Sequence, residues 1–108
     1  IASVLEADNH AIQVEGHTDN LPIKNLSFPS NWELSAVRAS TVVRLFTESG
    51  IGEDRMTAVG QGPKLPVSSN ETPEGRARNR RVAVIILAIL PEPIIDVPVN
   101  LSADKKRL

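Results

Sequence analysis

The stretch Ala11-Ile12-Gln13-Val14-Glu15-Gly16-His17-Thr18-Asp19, followed by Ser30-Asn31-Trp32-Glu33-Leu34-Ser35-Ala36-Val37-Arg38-Ala39, decides how this chain folds. Residues 11–15 alternate, with Ile12 and Val14 on one face and Gln13 and Glu15 on the other. Period two over five residues predicts a strand with one apolar face, and Gly16 closes it. Ser30 with Glu33 three residues on is a capping box, with Leu34 at the fourth helical position beside Pro29. The helix it opens is predicted to run to about Ser49, with Gly50 as the residue just past its end. Between the two elements, residues 20–29 contain Pro22 and Pro29 and read as a loop lying over a site.

Outward from this pair, residues 55–59 read as a short strand ending in Gly60-Gln61-Gly62-Pro63. Thr72-Pro73-Glu74-Gly75 opens a short helix through Ala77. Residues 81–90 are β-branched and apolar, predicting a strand buried on both faces near its middle. Residues 1–7 have helical spacing and read as the end of a truncated helix. Pro91, Pro93 and Pro98 exclude regular structure beyond residue 90, in a tail expected to be partly disordered. The order of elements predicts an α/β (α+β) two-layer sandwich, a small mixed sheet with helices on one face. The expected organisation is a domain over residues 1–90 and a Pro-rich tail over 91–108. The chain opens on Ile1 within an apolar pattern and is expected to be a fragment.

Composition narrows the function classes. The 108 residues suit one domain with a modest core. Formal net charge is -1, which argues against a polyanion binder, and the chain has no cysteine for thiolate metal sites. No apolar run reaches the roughly 18 residues that span a bilayer. Arg76, Arg78, Arg80 and Arg81 form a basic cluster. Glu71 and Glu74 precede it and no aromatic interleaves it, so no nucleic-acid partner is expected. His17 beside Asp19 lacks the third ligand of a catalytic zinc site. No nucleophile with a base is identifiable, so the chain is not expected to be an enzyme and needs no cofactor.

Two charges remain. At about 100° per residue, Arg38 shares an arc with Leu34, Val42 and Leu45, the side expected to face the core. A guanidinium buried there needs a partner. The guanidinium either snorkels to water, or pairs structurally with Asp19 or Glu15, or receives the carboxylate of a ligand. Asp19, where the chain leaves the sheet, either closes an Asx-turn or cap, or receives an ammonium group.

Gly16-His17-Thr18-Asp19, Asn31-x-x-Leu34-Ser35-x-x-Arg38-Ala39, Gly60-x-Gly62 with Pro66 and Asn70, and Gly75-Arg76-Ala77-x-Asn79-Arg80-Arg81-Val82 occur in that order. Together they resemble the OmpA-like peptidoglycan-binding domain over residues 11–88. Phe28-Pro29-Ser30-Asn31-Trp32-Glu33 looks most like the MotB-type flagellar stator branch of that family. The resemblance implies a β-α-β-α-β topology whose first strand is missing from this fragment. It implies that Asp19 binds the ammonium of diaminopimelate and Arg38 its carboxylate. Asn31 and Arg80 would line the same groove, with Thr18 and Leu34 as lesser candidates. It further implies a periplasmic domain of an inner-membrane protein, anchoring a MotA-like channel complex to peptidoglycan, usually as a homodimer. Two alternatives share these motifs: a dimerisation or interaction module of a stator without wall binding, and an outer-membrane wall anchor of OmpA or Pal type.

Overall fold

A computed structural model of the chain describes residues 10–87. It contains β1 (Ala11–His17), α1 (Asn31–Glu48), a single 3-10 turn (Glu53–Arg55), β2 (Met56–Gly60), α2 (Pro73–Asn79) and β3 (Arg81–Leu87). The sheet order is β2-β1-β3. β1 runs parallel to β2, with Ile12 opposite Met56, and antiparallel to β3, with Val14 opposite Val84. The parallel pair is joined through α1, as a parallel connection requires a crossover. The expected small mixed sheet with two helices is therefore present.

The local signals act as anticipated. The Ser30 hydroxyl accepts the Trp32 N–H at 3.2 Å and donates to the Glu33 carboxylate, whose pKa it holds below the ordinary value. At the other end, Gly50 takes φ 105°. Its N–H donates to the Thr47 carbonyl, and the Ile51 N–H to that of Phe46, both at 3.1 Å, which is a Schellman motif. Ile51 is then folded into the core. Thr72 caps α2 by accepting the Gly75 N–H at 3.0 Å, with Pro73 in the first turn. α2 continues to Asn79, two residues past the expectation, and β1 runs on through His17.

The apolar face of β1 carries the core. Ile12, Val14, Ala39 and Ile51 are buried, and Val42, Val43, Phe46, Met56, Val82 and Val84 pack around them. Glycine decides how closely α1 approaches. A Cβ on Gly16 would overlap the Ser35 carbonyl oxygen, and one on Gly60 would lie 2.8 Å from the Ala36 nitrogen. The helix backbone thus rests directly on the C-terminal ends of β1 and β2, with small residues, Ser35 and Ala39, at the contact.

Two expectations are corrected. β3 is not buried on both faces at its middle: Ile85 is 36% exposed and Ile86 47%. Among the described residues it is an edge strand, so apolar composition here marks no central position. The core-facing arc of α1 is Ser35, Ala39, Val42, Val43 and Phe46, which shares Val42 with the expected arc but is centred away from Arg38; Leu45 is 52% exposed and Arg38 is exposed. Close approach selects the small side chains for the sheet and turns the larger Leu34, Arg38 and Leu45 to the flank. The expected helix end at residues 1–7, the last residues of the third strand and the tail at 91–108 lie outside the described residues. No helix among the described residues is long and apolar enough to cross a membrane.

Candidate functional site

The end of β1 is held from three sides. The Gln61 N–H donates to the Gly16 carbonyl at 2.9 Å, and the Thr18 N–H donates to the Gly62 carbonyl at 3.0 Å. Gly62, at φ 58°, turns the chain so that its own N–H donates to the Ser35 hydroxyl at 3.0 Å. Its Cα lies against the Trp32 ring, where an added Cβ would approach to 3.0 Å. These bonds and close approaches explain the Gly60-x-Gly62 motif as a splice joining β1, β2 and the start of α1.

Asp19 emerges from this splice only 7% exposed. One carboxylate oxygen accepts the Leu21 N–H at 3.1 Å, so the Asx-turn alternative is realised. The other accepts Nη1 of Arg80 at 2.8 Å. The Thr18 hydroxyl donates to the Asp19 carbonyl at 2.8 Å. Asn31 Nδ2 donates to the Leu21 carbonyl at 3.0 Å and to that of Asp19 at 3.4 Å, tying the loop to the start of α1. The structure therefore brings Asp19, Thr18, Asn31 and Arg80 together.

Arg38 has no ion-pair or hydrogen-bond partner among the described residues, and its structural pairing with Asp19 or Glu15 is not formed. Asp19 is paired with Arg80, and Glu15 is engaged by Gln13, Gln61 and His17. Being exposed, the Arg38 guanidinium keeps its hydration and needs no internal anion. It stands as an unpaired cation on the flank of α1, one turn after half-buried Leu34. Arg80 is the more informative cation, and its sequence signal is the Asn79-Arg80-Arg81 motif rather than any periodicity.

Sequence reasoning missed the polar face of β1. Gln13 and Gln61 donate to one Glu15 oxygen at 2.5 and 3.1 Å, and His17 Nε2 lies 3.2 Å from the other. Period two already puts Gln13 and Glu15 on one face; what it lacks is Gln61. Burial pushes the Glu15 carboxyl up, but the amides of Gln61 and Gln13, together with His17, outweigh it and hold the pKa below 4.5. A depressed carboxylate contributes stability above its unfolded value and loses it as pH falls through the folded value. Glu15→Gln is therefore expected to differ most from wild type near neutrality. The gap in urea midpoint should shrink as pH drops below about 4. A gap independent of pH would show that ionised Glu15 adds nothing.

The sequence profile of the OmpA family matches residues 1–80 of this chain. Motility protein B of Bacillus subtilis (strain 168) is 49% identical over 77 residues, covering 70% of this chain and 30% of that protein. The structure of the cell wall anchor of the T6SS from Pseudomonas aeruginosa superposes with TM-score 0.75 at 42% identity, covering 82% of this chain and 62% of the other. The C-terminal domain of Helicobacter pylori MotB superposes with TM-score 0.77 at 26% identity, covering 82% and 69%. The chain spans about a third of the length of the curated relatives it matches.

Proposed function

The chain belongs to the OmpA family, and on that premise we propose that it is a non-catalytic domain that binds the stem peptide of peptidoglycan. Its ligand end is the zwitterionic diaminopimelate centre, with Asp19 taking the ammonium and Arg38 the carboxylate. Thr18 and Asn31 hold the Asp19 loop, and Arg80 and Leu34 line the groove. The domain is assigned to residues 1–90 and the tail to 91–108. Its biological role is to anchor a MotB-like stator to the wall from the periplasm, as a homodimer joined to a MotA-like channel subunit through a membrane segment elsewhere in the protein.

The observation that carries this reading is the state of Asp19. A carboxylate almost removed from water, tethered by a backbone N–H and paired with a guanidinium whose side chain is 44% exposed, suits exchange of one cation for another. Relatives with wall-anchoring and motility names point the same way. The test is co-sedimentation with purified peptidoglycan for wild type, Asp19→Ala and Arg38→Ala. Removing either charge is expected to weaken binding about 10- to 100-fold. If both variants keep wild-type circular dichroism and sediment like wild type, the assignment is wrong.

A further inference from the structure

The Asp19–Arg80 pair is lopsided. The Asp19 side chain is 10% exposed and the Arg80 side chain 44%. Asp19 is fixed by the Leu21 N–H on its other oxygen. Arg80 reaches it through Nη1 alone, and among the described residues its side chain makes no other hydrogen bond. The acid is the built-in member and the guanidinium is the movable one.

Resting on the diaminopimelate reading above, we propose that Arg80 is an internal counter-ion that makes the site select zwitterions over simple amines. An ammonium that binds this carboxylate comes to lie beside the Arg80 guanidinium, because both engage one small group whose other oxygen already accepts the Leu21 N–H. Arg80 is then beside a second cation, and like charges at such distances are strongly unfavourable in a partly buried site. A ligand whose ammonium and carboxylate share one carbon removes this penalty: the ammonium replaces Arg80 on Asp19, and the carboxylate that Arg38 receives also pairs, through its second oxygen, with the displaced Arg80 guanidinium. An amine without that carboxylate strands Arg80 unpaired and binds poorly. Specificity thus comes from a repulsive element as well as an attractive one.

The experiment is a titration by NMR at low salt with two probes, meso-diaminopimelate and cadaverine, which has the same five-carbon diamine spacing without the carboxylates. Wild type is expected to prefer diaminopimelate by about tenfold or more. Arg80→Gln should weaken diaminopimelate and strengthen cadaverine, so that the two converge to within about threefold. Arg80→Lys keeps the charge and should continue to reject cadaverine, which guards against a fold defect in the neutral variant. If Arg80→Gln, folded by circular dichroism, weakens both probes alike or changes neither, Arg80 is an ordinary binding residue and the inference is overturned, while wall binding stands. Wild type that binds neither diaminopimelate nor peptidoglycan overturns the wall-binding reading and this inference with it.

Discussion

Gly16→Ala is expected to cost about 3 kcal/mol or more, enough to lower the melting temperature by upwards of about 10 °C in a domain of this size. The added methyl would overlap the Ser35 carbonyl oxygen and sit 2.9 Å from its carbon. Both are backbone atoms of α1, so no rotamer change relieves the overlap. The helix must retreat from the central strand. Retreat loosens the packing of Ala39 on Ile12 and Val14 and breaks the Ser35 hydroxyl's bond to the Gly62 N–H. It also draws Asn31 away from the Leu21 carbonyl, so the Asp19 turn loses its tether. Gly52→Ala is the control: its Cβ would meet only the Asp54 carboxylate, a side chain free to swing away. Thermal unfolding of both variants checks the argument. Gly16→Ala melting within about two degrees of Gly52→Ala would mean that α1 does not rest on β1 as described.

Asn79→Ala is the second large effect, at about 2–4 kcal/mol. Asn79 is fully buried. Its oxygen accepts the Val67 and Ser68 N–H groups at 2.8 and 3.0 Å, and its amide donates to the Ser68 carbonyl at 3.0 Å and to Asn70 Oδ1 at 2.8 Å. Alanine deprives all four of these groups of their partner. Asn79→Asp keeps the acceptor but turns an oxygen toward two oxygens. It is expected to be at least as damaging at pH 7 and to recover as acid protonates it. The damage reaches the site, because Asn79 immediately precedes Arg80 at the end of α2. Equilibrium denaturation of the two variants at pH 7 and pH 4 reads both claims. An Asn79→Ala midpoint equal to wild type would show that the 67–70 loop stands without this anchor.

The acidic and basic residues of the site show how far local reasoning carries. Asp19 can be singled out because a strand, a glycine and a turn-forming residue stand together in the chain, and those cues act within a few bonds. Its Asx-turn is one of the readings that local sequence allows. Ser30 and Glu33 mark the start of α1, and Gly50 its end, for the same reason: a cap satisfies backbone groups within one turn. The core-facing position expected for Arg38 rests on a longer-range inference, and the structure does not show it. A helical wheel ranks positions around an axis but does not say which arc meets the sheet. That depends on Gly16 and Gly60 admitting the start of the helix so closely that small residues, Ser35, Ala36 and Ala39, meet the sheet there.

What the sequence determined by itself, then, is the order of the elements, their capped ends, the apolar face of β1 and the motifs shared with the OmpA family. These rest on backbone geometry repeated over a few residues and on spacing along the chain. What only the tertiary structure decided is which charges meet. The antiparallel register that sets His17 opposite Arg81 brings Arg80 to the end of β1, across 61 residues of chain, and so makes it the partner of Asp19. The same packing places Arg38 in solvent and, among the described residues, β3 at an edge. Ion pairing and burial depend on distances in space, and those come from how strands register and how near a helix can come, which no single segment encodes.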